Sequence, residues 1–162
     1  MDRFRGGLIS GAAGTLALEV ASYVDMMVRG RPASELPSAA AEKIADQVVI
    51  DLGSGDEAEN RKSALGALLG YGTGLAVGLG LGLFAGRRRI PTLRGGIAVG
   101  LVAMAVSDLP MVKLGLTDPR AWKRSDWIAD IVPHVMYGVV ATAVYNRQRV
   151  GSSRVRRAAQ VV

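Results

Sequence analysis

Four apolar stretches constrain this chain more than any other feature, because each has about the 20 residues that an α-helix needs to cross a hydrocarbon core. They cover residues 6–28, 63–86, 95–116 and 127–146 of the 162. The second holds no ionisable group except Tyr71. Tyrosines aside, the others carry only Glu19 and Asp25, Asp108 and Lys113, and Asp130 and His134. A soluble domain must bury an all-round apolar helix beneath amphipathic neighbours. Four such helices leave too little amphipathic material in a chain this short. The expected fold is therefore all-α and polytopic, with four transmembrane helices in residues 1–149 and a basic cytoplasmic tail over 150–162.

The charges orient the spans. With the N-terminus inside the cell, Arg3, Arg5, Arg87, Arg88, Arg89, Arg94, Arg147, Arg149, Arg154, Arg156 and Arg157 all fall on the cytoplasmic side, against the single acid Asp2. The outer segments, 29–62 and 113–126, balance nine basic with nine acidic residues. Cytoplasmic loops carry the excess of Lys and Arg, so both termini are expected in the cytoplasm of an inner-membrane protein, with Trp122 and Trp127 at the outer interface. The net charge of +6 needs no nucleic-acid partner, since the arginines flank spans instead of lining a reading helix. The expected partners are the bilayer and, for the tail, anionic lipid headgroups. The opening MDRFR imitates a secretory signal. The apolar run that follows exceeds the usual length of about 7–15 residues, Glu19 interrupts it and no good Ala-x-Ala follows, so an uncleaved first span is expected.

The chain repeats itself. Arg5-Gly6-Gly7 with Gly11 returns as Arg94-Gly95-Gly96 with Gly100, an offset of 89 that also sets Glu19 against Asp108. With gaps, Ile44-Ala45-Asp46 matches Ile128-Ala129-Asp130 and Tyr71-Gly72 matches Tyr137-Gly138, which places Leu68 opposite His134. These matches describe two parallel repeats, 5–86 and 94–147, each a span, a surface segment and a returning span. In the longer surface segment, residues 38–52 form a helix that Ser38 caps. Its apolar face is Ala41, Ile44, Ala45, Val48, Val49 and Leu52, as in a helix lying on a membrane. GSGDEAEN, residues 53–60, reads as a loop, and Asp118-Pro119 as the cap of a short helix or turn.

Glycines specify the packing. Gly66, Gly70, Gly74, Gly78, Gly82 and Gly86 recur every four residues along the second span, and Gly7/Gly11 and Gly96/Gly100 do so at the start of the first and third. Such stripes let backbones approach closely, either within one bundle or between copies in a homo-oligomer. At 1.5 Å per residue, Glu19, Asp108 and His134 all lie about 20 Å from the cytoplasmic arginines. Asp130 stands one turn above His134, and Tyr71 and Tyr137 occupy nearby levels. Pro110 and Pro133 each remove a helical hydrogen bond beside this depth.

Polar groups so deep mark a site by default, and two readings stand. One is a buried hydrogen-bond cluster joining the repeats. The other is a proton- or cation-handling site in which Glu19, Asp108, Asp130 and His134 converge. A metal or small-ligand site is a third, weakened by one His and no Cys, so no cofactor is expected. Ser10, Ser22 and Ser107 reach the same neighbourhood without a Gly-x-Ser-x-Gly elbow. GYGTGLAVGLG lacks the Lys-Ser/Thr of a phosphate loop. No enzyme is expected.

The second half carries a resemblance. LRGGIAVGLVAMAVSDLPMVKLGLTDPRAW followed by IADIVPHVMYGVVATAVYNRQR, residues 93–149, resembles the YagU-like family of bacterial inner-membrane proteins. There a Gly-rich span leads to a proline and a Gly-Leu-Thr-x-Pro turn, then an acid, a histidine and a span with a basic end. The matching positions are Pro110, Gly115-Leu116-Thr117-Asp118-Pro119, Asp130, His134 and Arg147/Arg149. The resemblance implies a small multi-span membrane protein. The expected role is a non-enzymatic structural or accessory membrane subunit; the alternatives are proton- or cation-coupled permeation and a membrane-perturbing, holin-like assembly.

Overall fold

A computed structural model describes residues 3–86 and 88–158, with 149–158 as backbone only, so Arg87 and the end of the expected tail, 159–162, lie outside the described residues. Among the described residues the chain is all-helical, 83% of it in helix, with no strands. The order is α1 (Arg3–Arg29), α2 (Leu36–Gln47), α3 (Gly55–Ala85), α4 (Thr92–Lys113), a 3-10 turn (Pro119–Ala121) and α5 (Arg124–Ala158). All but α2 are long and apolar enough to cross a membrane.

Several boundaries differ from the sequence expectation. Most of residues 53–60 is helix, not loop, because α3 starts at Gly55. Ser54 is extended at its N-cap, and Asp56 and Glu57 in the first turn meet the positive end of the helix dipole. In α2, Pro37 takes a first-turn position where its missing N–H leaves nothing unpaired, so Ser38 lies inside the helix and does not cap it. The buried face of α2 is Ala40, Ala41 and Ala45; Ile44, Val48 and Val49 point outward and Leu52 falls beyond the helix. Lys62 of α3 holds Glu42 of α2 at 2.7 Å, which fixes that choice of face. Asp118 does cap its turn, accepting from the Arg120 N–H at 3.0 Å. α5 runs on past residue 149 to Ala158. Asp25, near the C-terminal end of α1, pairs with Arg29 and Arg31.

α1 packs between α3 and α5, α5 packs between α1 and α4, and α3 and α4 meet sparingly. Glycine makes the contacts. A Cβ on Gly11 would lie 2.7 Å from the Gly74 carbonyl oxygen, and one on Gly96 would lie 2.6 Å from Val139 Cα. Neither helix pair could close at this distance with an alanine there.

The interior is accordingly small and hydroxylic, with Ser10, Gly11, Gly14, Thr15, Gly78, Gly100 and Thr142 buried. Large apolar side chains face outward on all four long helices, among them Leu16, Leu68, Phe84, Leu93, Val102 and Ile128; Phe84 is 93% exposed. At the end where α3 turns into α4, Tyr145 donates to the Gly86 carbonyl. Asn146 there accepts from the Ile90 N–H at 3.2 Å and donates to its carbonyl at 2.7 Å. At the opposite end Trp122 and Trp127 stack edge to face with centroids 5.0 Å apart, and Arg29 of α1 donates to the Ser125 carbonyl at the start of α5.

Candidate functional site

The deep polar residues do not form one cluster. Asp108, Asp130 and His134 come together with Ser107 between α4 and α5. His134 Nδ1 lies 3.1 Å from Asp130 Oδ1 and 2.8 Å from the Asp130 carbonyl oxygen, and its Nε2 is 3.2 Å from Ser107 Oγ. Ser107 Oγ also lies 3.2 Å from Asp108 Oδ1 and 2.9 Å from the Met104 carbonyl. The Asp108 carboxyl lies near that of Asp130, on the remaining side of the ring. The cluster thus joins two helices of one repeat, and the expected link between the repeats is not made here. The turn spacing of Asp130 and His134 on α5 puts both on the face that meets α4. Ser107 precedes Asp108 on α4 and reaches the ring from below.

This ring can hold and pass a proton. A neutral imidazole donates through Nδ1–H to Asp130 and accepts at Nε2 from the Ser107 hydroxyl. A protonated one donates at both ends, and Ser107 then turns its hydroxyl toward Asp108. Asp130 Oδ2 is buried and has no hydrogen-bond partner among the described residues. A proton held between the two carboxyls would give it one.

Ser107, His134 and Asp130 also meet two distance requirements of a nucleophile–base–orienter relay. The third is missing. Ser107 lies within the continuous helix α4, where the neighbouring backbone N–H groups serve the helix and are not free to take an oxyanion. No group of three carboxylate or imidazole residues among those described is arranged to hold a metal ion.

Glu19 and Tyr71 lie elsewhere, in a groove of about 460 Å³ between α1 and α3 that Ala12, Thr15, Leu16, Val20, Tyr23 and Leu75 complete. Tyr23 lines the same groove as Glu19. Tyr137 belongs to neither group. It is 1% exposed, its ring fills the space beside Gly14 and its hydroxyl donates to the Gly74 carbonyl. The expected six-residue constellation is therefore three separate features, because helices at the same depth turn different faces to one another.

The glycine stripe divides in the same way. Gly74, Gly78 and Gly82 meet α1, and Gly66 meets the start of α2 at Pro37 and Ser38. Gly70 has nothing within 4 Å of a Cβ, and Gly86 ends α3 at φ +56°. The contacts also reset the repeat. Gly11 rests on Gly74 and Leu75 as Gly100 rests on His134 and Val135, and Gly78 and Gly138 fill the equivalent places opposite them. The returning helices thus correspond at a constant step of 60, which sets Gly74 and Gly70 against His134 and Asp130. The expected partners, Leu68 for His134 and Tyr71-Gly72 for Tyr137-Gly138, are out of register by six residues.

Compared with models of known families, with curated proteins and with solved structures, the chain matches none.

Proposed function

We propose that this is a multi-pass protein of the cytoplasmic membrane, with both termini inside, that serves as a non-enzymatic structural or accessory subunit. The observation that carries the reading is the inverted distribution of side chains. Glycine, Ser10, Thr15 and Thr142 lie inside, while the large apolar residues cover the outside of every long helix. Soluble monomers rarely expose apolar patches beyond a few hundred Å², whereas membrane bundles bury small residues and turn large ones to lipid. The arginines at one end of the spans support the orientation, and the resemblance of residues 93–149 to the YagU-like family points the same way. On this reading the partners are lipid, anionic headgroups and another membrane protein or a second copy. A second copy would dock on the outer apolar faces, since Gly74, Gly78 and Gly82 are occupied within the chain.

Topology is the test. A phosphatase reporter should be inactive when fused after Val162 and active when inserted at Gly115. The reverse pattern, or release of the protein from membranes by alkaline carbonate, overturns the proposal.

The hydrogen-bond ring of Asp108, Asp130, His134 and Ser107 favours a second reading, a small proton- or cation-coupled permeation protein. Purified protein in liposomes should then dissipate a pH gradient faster than empty vesicles, and His134→Ala should remove the excess. Rates equal to those of empty vesicles dismiss it.

A further inference from the structure

The groove between α1 and α3 holds a carboxylate at membrane depth with no basic partner. Among the described residues no Lys, Arg or His pairs with Glu19, and the polar groups that share its groove are Thr15, Tyr23 and Tyr71. Thr15 is committed, since its hydroxyl donates to the Gly11 carbonyl at 2.9 Å. The remaining lining is aliphatic. The groove exists because the two helices part there. Gly74 is tight against Thr15, but one turn earlier Gly70 has no neighbour within 4 Å of a Cβ.

In the other repeat the equivalent positions of α5 carry Asp130 and His134, and these lie near Asp108, the counterpart of Glu19, which Ser107 also contacts. Here the equivalents are glycines, and the acid is left facing an open, apolar cleft.

An acid at this depth is stable only with a proton or a positive charge beside it. The groove supplies two aromatic rings, Tyr23 and Tyr71, whose faces attract cations. Its volume lies within the range of sites that take a small organic ligand. We infer that the α1–α3 groove is a binding site for a lipophilic cation, whose charge is met by Glu19 and the two tyrosine rings and whose apolar body lies along Ala12, Leu16, Val20 and Leu75. This site is separate from the Asp108–Asp130–His134 ring and stands whether or not that ring conducts protons.

The full chain in lipid nanodiscs is titrated with tetraphenylphosphonium, with empty nanodiscs as the background. Saturable binding above background is expected. Glu19→Gln should weaken it about tenfold or more, and Tyr71→Ala, which removes one of the two rings lining the groove, should weaken it as well. His134→Ala should leave it unchanged, and triphenylphosphine oxide, a neutral molecule of related shape, should compete poorly. Helix content and detergent-resistant size of each variant, measured alongside, confirm that it is folded. Absence of saturable binding to the wild-type chain overturns the inference. So does equal affinity in Glu19→Gln, and so does equal competition by the neutral molecule, which would make the groove a seat for a lipid acyl chain.

Discussion

The two helix pairs, α1–α3 and α4–α5, share one backbone contact and differ in nearly everything placed beside it. Each begins with a Gly-x-x-x-Gly, Gly7/Gly11 or Gly96/Gly100, and each returning helix brings a glycine, Gly78 or Gly138, into the gap between them. One to two turns away from it, α4–α5 carries Ser107, Asp108, Asp130 and His134 close together, whereas α1–α3 carries Glu19 in an open groove. The lesson is that the close approach of two backbones does not dictate the chemistry beside it. Glycines hold the helices together, and the residues one to two turns away are free to become a polar ring or an open cleft.

The halves also diverge in how they meet. Tyr137 and Tyr145 of α5 reach across to the Gly74 and Gly86 carbonyls of α3. Their counterparts at the 60-residue step, Val77 and Ala85, have no hydroxyl to return the contact. The α1–α5 seam is correspondingly extensive and the α3–α4 seam slight.

The largest effects should come from the shared contact. Gly78→Leu and Gly138→Leu each drive a side chain into backbone, at Gly11 and Gly7 in one half and at Gly96 and Gly100 in the other. Each should cost about 3 kcal/mol or more, read from reversible unfolding in mixed micelles. Unequal losses would show that the two contacts are not equivalent. Next comes the polar furniture. Asp130→Ala strips His134 of its carboxylate partner and should cost about 1–3 kcal/mol, while Glu19→Ala in the open half should cost less than about 1 kcal/mol. A larger loss at Glu19 would mean that the acid has a structural partner. The smallest effect is expected at Gly70→Ala. Its Cβ meets nothing, so stability should hold or rise by up to about 1 kcal/mol from helix propensity. A clear loss there would show that the groove is closed in the membrane.

Much of this was legible in the sequence. The four long helices follow from their length and apolarity alone, and the two paired glycine motifs mark where the first helix of each repeat is approached. The register of the returning helices was legible only in part. Aligning the tyrosines of Tyr71-Gly72 and Tyr137-Gly138 gives a plausible match, but the signal that counts is the glycine opposite each motif, and Gly78 is hidden among four others in α3 at the same spacing. The sequence places Ser107 near His134 only as one of three serines, and Tyr145 and Asn146, near the end of their span, carry no spacing that distinguishes them.

By itself the sequence determined the element type, the number of long helices and the depth of each polar residue. Those follow from transfer of apolar side chains out of water and from a fixed rise per residue. Which residues meet was decided only by tertiary structure. Depth along a helix is set by counting, but facing depends on rotation about the helix axis, and that rotation is fixed by contacts between backbones at Gly11, Gly74, Gly100 and Gly138. It brings Asp130 and His134 to Ser107 and Asp108, carries Tyr137 to Gly74 and leaves Glu19 beside Tyr23 and Tyr71.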